Sequence, residues 1–157
     1  KNQDLPEVLS VGAEYAFSHR LAVSVSGTTY SLSKTDMEGL EECYGTGWDA
    51  SLGVTYKINR NLKAATGFIY TDSGAKDSFI EDGSMLSKYS INPPLNSITY
   101  GLGITYSLWK DFDITLSGAY IYYIPEDTTV TGTSGAEFEV EYRKNAIAIA
   151  TGVSYKL

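Results

Sequence analysis

The chain has 157 residues, of which 43% are hydrophobic, and a formal net charge of −7. That length fits one domain, and an acidic balance without a basic patch speaks against nucleic acid as a partner. The single cysteine, Cys43, excludes an internal disulfide and any metal site built on a cysteine pair, and no run of about eighteen apolar residues exists to form a transmembrane helix.

Taken in chain order, alternation of large apolar with small polar residues predicts strands at about 7–17, 21–33, 48–58, 62–71, 96–108, 112–123 and 145–157. The fifth shows the pattern without a break. Ile98, Tyr100, Leu102, Ile104, Tyr106 and Leu108 fall on one face, and Ser97, Thr99, Gly101, Gly103, Thr105 and Ser107 on the other. The polar face carries no charge and little bulk. A water-exposed sheet normally wears Lys, Glu and Arg, whereas the lumen of a membrane barrel accepts Ser, Thr and Gly. The expected fold is therefore all-β, an antiparallel up-and-down transmembrane β-barrel.

The connections alternate in kind. Ser18-His19-Arg20, Asn59-Arg60-Asn61 and Trp109-Lys110-Asp111 read as tight three-residue turns. Residues 34–47, 72–95 and 124–144 read as long, polar, acidic loops, and in the third Thr128–Thr131 is expected to pair with Phe138–Tyr142. Bacterial outer-membrane barrels are wired this way, with the short turns in the periplasm. On that wiring the first strand starts outside and the last ends at Leu157 in the periplasm. Residues 1–157 are then expected to be the C-terminal portion of a larger barrel that contains further strands. The alternative is a complete eight-stranded barrel with one strand hidden between Asp72 and Leu95.

On the expected lipid face, Phe17, Tyr56, Tyr106, Phe112 and Tyr155 gather near the short turns, and Trp48, Tyr70, Tyr100 and Tyr120 toward the long loops. Trp48 and Tyr56 would stand about 19 Å apart in height, near the apolar band of such a barrel. On the other face, Lys57 and Lys63 are expected to oppose each other. With Asp113 and Lys156 they form a charged layer near the periplasmic mouth, either a structural salt-bridge network or part of a solute path. Tyr30, Ile69, Ile121 and Tyr123 break the small-polar rule of the lumen. They are candidates to touch a hydrophobic ligand, or else to pack against a plug or inward-folded loop.

Catalysis is not expected. His19, the only histidine, lies in a turn away from any serine of the strands. No metal-ligand spacing or phosphate-binding glycine loop is present, so neither a metal nor a cofactor is expected.

The segment LPEVLSVGAEYAFSHRLAVSVSGTTYSLSK, Leu5–Lys34, resembles the long-chain fatty-acid and hydrocarbon transporter family of outer-membrane proteins in its Leu-Pro, Gly-x-x-Tyr, short turn and amphipathic strand. Gly53–Tyr56 and Gly103–Tyr106 repeat the Gly-x-x-Tyr unit, each followed by a tight turn. Thr151–Leu157 looks like the C-terminal signal read by barrel-insertion machinery, with Leu157 in place of the usual terminal Phe. The resemblance implies a barrel of about fourteen strands, of which this chain would supply the C-terminal half. It also implies a bacterial outer-membrane location, contact with membrane lipid, and passive passage of a hydrophobic small molecule. No transport residues are carried over, because the family's plug and kinked strand would lie in the other half. A small structural or adhesion barrel with acidic extracellular loops is the alternative function.

Overall fold

A computed structural model describes residues 7–31, 45–75, 95–131 and 137–155. The alternating segments become seven strands of one antiparallel sheet: β1 (Glu7–Ala16), β2 (Leu21–Ser31), β3 (Thr46–Lys57), β4 (Leu62–Asp72), β5 (Ser97–Trp109), β6 (Phe112–Tyr123) and β9 (Asn145–Tyr155). Each pairs with its neighbour in chain order. β7 (Glu126–Thr131) and β8 (Glu137–Tyr142) form a separate hairpin between β6 and β9. The sheet strands run from 10 to 13 residues. At about 3.3 Å per residue and about 45° of tilt they rise roughly 23–30 Å, the thickness of a bilayer's apolar core.

The tight turns are made by their own side chains. Ser18 Oγ accepts the N–H groups of Arg20 and Leu21, both at 3.1 Å, and Asn59 Oδ1 accepts that of Asn61 at 2.8 Å. β5 runs one residue further than the alternation suggests. Trp109 pairs with Phe112 across a register shift, which leaves Lys110-Asp111 as a two-residue turn.

Pairing in register puts opposed residues on one face, so the β5 alternation propagates across the sheet. Leu102 lies beside Thr66 and Gly118, and these beside Val54 and Ile149. This face is uncovered: Leu102, Ile104 and Ile149 are 70%, 52% and 77% exposed. Among the described residues the buried apolar core is Leu95 alone, at 4%. A water-soluble protein would fold these side chains inward; their outward display is the pattern expected of the outer face of a membrane barrel wall. Aromatics close the apolar band at both ends. Trp48 packs on Tyr70 with ring centroids 5.2 Å apart, and Phe68 on Tyr100 at 5.5 Å, toward the long loops. Tyr56, Tyr106 and Tyr155 are exposed near the short turns.

β1 and β9 are the two edges, and among the described residues they do not pair with each other. With one neighbour each, they are exposed along their length apart from the half-buried Ala146. The stretch suggested for an eighth strand falls at residues 76–94, outside the described residues.

Candidate functional site

The opposite face of the sheet is concave and lined by small side chains. Gly53, Gly67, Gly101, Ala119 and Ala148 are paired in sequence across five strands, so they form one continuous band. The next row toward the short turns is Thr55, Ala65, Gly103, Ser117 and Ala150. Together they floor a trough of about 530 Å³. Hydroxyls on this face bond to one another, as Thr105 does to Thr115 at 3.0 Å and Ser26 to Ser51 at 2.6 Å. The floor therefore presents methyl, methylene and saturated hydroxyl groups without charge. Such a surface offers an apolar solute dispersion contact and no strong hydrogen-bonding competitor.

Ile69 and Ile121 stand in one row directly beside the glycine-alanine band, on either side of Thr99. At about 4.8 Å per strand spacing they are roughly 10 Å apart, one row toward the long loops from the residues that line the trough. The two tyrosines are engaged elsewhere. The Tyr30 ring lies over Gly47, its partner on β3, and its hydroxyl donates to the Asp72 carbonyl at 2.9 Å. Tyr123 is opposite Ser97, and its ring receives the Lys144 ammonium 4.2 Å from the centroid.

Tyr30 belongs to a bonded rim at the long-loop end. Gly74, at φ +68°, donates to Asp72 Oδ1 at 2.9 Å, and its carbonyl accepts from Gly45 at 2.7 Å. Asn96 ties the rim to the far side: its Oδ1 accepts from Ser73 at 2.9 Å and its carbonyl from Ile124 at 2.8 Å. A Cβ on Gly47 would come within 2.1 Å of the Tyr30 ring. Gly47→Ala is therefore expected to expel the ring and lower stability by about 1–3 kcal/mol. Tyr30→Phe, which loses only the hydroxyl bond, should cost about 0.5–1.5 kcal/mol. Denaturant titrations of the two variants check this order, and a harmless Gly47→Ala would contradict the ring placement.

At the other end, Lys57 and Lys63 are opposed across the β3–β4 turn. Asp113 is one row beyond Lys63: its Oδ1 accepts the Ser107 hydroxyl at 2.5 Å, while the Lys63 row continues through Thr105 and Thr115. Lys156 lies outside the described residues. Sequence reasoning missed that Arg20 joins this end. The Lys57 N–H donates to the Arg20 carbonyl at 2.8 Å, which seats the first turn beside the second. The contact depends on β2–β3 register, which no local pattern reveals.

Neither a protein-family model nor a curated protein matches the chain. Among solved structures it is similar to the crystal structure of a FadL homologue from Pseudomonas aeruginosa, with a TM-score of 0.72 at 14% identity. The match covers 96% of this chain and 35% of that one, so the chain spans about a third of the length of its structural relative. The sheet thus has the fold of part of a FadL-like outer-membrane β-barrel.

Proposed function

We propose that this chain supplies part of the wall of a bacterial outer-membrane barrel that passes hydrophobic small molecules by passive diffusion. The observation that carries this reading is the inverted polarity of the sheet, apolar and exposed on one face, and on the other concave, small and uncharged along the mid-wall trough. The FadL-like fold supports it. Acyl chains cover the outer face, and the trough, with Ile69 and Ile121 in the next row of the same face, offers a solute a surface of low polarity.

The unpaired edges bear on how the wall closes. Open strand edges are not tolerated in lipid, so β1 and β9 require partners. In an antiparallel sheet of seven strands the two edges run in the same direction. Only an odd number of further strands closes it with antiparallel seams, and about seven would give the fourteen that the resemblance implies. The short turns then face the periplasm and the long acidic loops the exterior. Thr151, Gly152 and Tyr155 on β9 supply the polar-Gly-x-x-aromatic part of the pattern that insertion machinery would read.

Uptake by intact cells tests the reading, since the outer leaflet hinders entry of apolar compounds. Cells with the full-length protein are expected to accumulate radiolabelled toluene or dodecanoate faster than cells lacking it, with glucose uptake unchanged. Equal accumulation of both hydrophobic probes with and without the protein would overturn the proposal.

A further inference from the structure

The short-turn end of the sheet sorts its side chains by chemistry. Phe17, Tyr56, Tyr106, Trp109 and Tyr155 stand on the lipid side, all exposed and none charged. The cations are elsewhere. Lys57 and Lys63 share the inner row of Thr105 and Thr115, with Arg20 beside them, and Arg60 and Lys110 are exposed at the tips of the second and third turns. The neighbouring acids are Glu14, Asp111 and Asp113, and among the described residues no ion pair joins one of them to these cations. At the long-loop end the balance is reversed. There Asp49, Asp72, Glu126, Asp127, Glu139 and Glu141 outnumber Arg143 and Lys144. The wall of a chain with net charge −7 is thus positive at one end only.

The backbone beneath these cations is fixed. The Lys57 N–H donates to the Arg20 carbonyl at 2.8 Å, and the Ser107 N–H to the Asn61 carbonyl at 2.7 Å. The first turn is thereby tied to the second, and the second to the strand that enters the third. From the first turn to the third is about four strand spacings, roughly 19 Å. That width exceeds a small anion and approaches a protein-docking patch, about 800 Å² on each partner. Headgroups of the surrounding bilayer meet the lipid side, where aromatics stand and cations do not. An occupant therefore arrives from the water beneath the lumen, and charge complementarity requires it to be acidic.

We propose that the three short turns form a docking ledge for an acidic protein of the periplasm, with carboxylates of that partner on Arg20, Arg60 and Lys110. The inference goes beyond hydrophobic passage and uses only its orientation, short turns in the periplasm. Lys57 and Lys63 add to the positive field at the mouth. Exposed charges of this kind steer encounter and set register, so the association is salt-sensitive. A ledge of tied turns needs little rearrangement to bind.

Photocrosslinking of the full-length protein in intact cells tests this, with benzoylphenylalanine in place of Asp111 on the ledge or of Ile58 on its lipid side. From Asp111, an adduct with one acidic periplasmic protein is expected, and it should persist through a chase after synthesis is stopped. From Ile58, lipid adducts are expected. The captured protein, once purified, should bind the full-length protein in nanodiscs. Arg60→Glu/Lys110→Glu should weaken that binding about tenfold or more, and Arg60→Gln/Lys110→Gln by a smaller factor. Raising salt from about 0.05 M to about 0.5 M should also weaken it about tenfold. Gel mobility of unboiled samples reads the fold of each variant, and the Gln variant and the salt series decide the matter should the Glu variant not fold. Four outcomes would each sink the ledge: no adduct from Asp111, lipid adducts alone, an adduct lost during the chase as for an assembly factor, or an affinity indifferent to charge and salt. Toluene uptake by the same cells separates the readings, since uptake retained without a docked protein leaves hydrophobic passage standing.

Discussion

Leu102→Arg is expected to lower the stability of the folded protein in a bilayer by about 2–4 kcal/mol, the cost of a cation on the lipid face at the membrane midplane. Leu102 is 70% exposed near the middle of β5, flanked by Thr66 and Gly118. Its only solvent there would be hydrocarbon. Ser117→Arg places the same side chain one strand away on the trough side, opposite Gly103 and Ala150. There it meets lumen water, and the expected change is within about 0.5 kcal/mol. Tyr106→Arg, on the same face as Leu102 but near the short turns, should cost only about 0–1 kcal/mol. Guanidinium titrations of the three variants in phospholipid vesicles give the ranking. A soluble β-protein would show no such dependence on depth.

Ala119→Trp is expected to cut uptake of a hydrophobic probe on the order of tenfold, a barrier increase of about 1.4 kcal/mol. Ala119 lies between Gly101 and Ala148 on the floor of the trough, and its bulk is the least that still has a Cβ. An indole is among the bulkiest side chains, burying about 150–250 Å² of surface, and from this position it projects into the trough of about 530 Å³. The control is the preceding residue. Gly118 faces the other way, in the row of Leu102 and Ile149, and a Cβ there meets only the Ala148 carbonyl at 3.7 Å. Gly118→Trp adds the same bulk to the lipid side and should leave uptake unchanged. Equal effects of the two substitutions, in the cell assay, would show that bulk on this strand acts through folding rather than through the lumen.

Much of this architecture is legible in the primary structure because period-two alternation is a local property. Ile98–Leu108 assigns its own two faces, and a three-residue turn at Asn59–Asn61 is enough to set Lys57 against Lys63. The hairpin expected at Thr128–Thr131 and Phe138–Tyr142 forms over Glu126–Thr131 and Glu137–Tyr142. What is not legible depends on register between strands whose connection is long, since no turn type fixes it. β3 begins at Thr46 rather than Trp48 because Tyr30, across the sheet, covers Gly47 and lets a glycine hold a strand position. The rim built from Asp72, Ser73, Gly74 and Asn96 joins segments separated by residues 76–94. The contact of Lys57 with Arg20 needs the first turn to lie beside the second, which follows only once β2 is paired with β3. Hence the lumen's small-residue character is visible in the sequence, while the partners of Tyr30, Tyr123 and Arg20 are not.

Single cysteines at 98–106, introduced one at a time in a Cys43→Ser background and labelled with an environment-sensitive fluorophore, probe the orientation of β5 in vesicles. The labels at Ile98, Tyr100, Leu102, Ile104 and Tyr106 are expected to be quenched by tail-brominated lipid. Those at Thr99, Gly101, Gly103 and Thr105 should respond instead to a water-soluble quencher. The reverse assignment, or no alternation between adjacent positions, would contradict a sheet whose oily side chains meet the acyl chains.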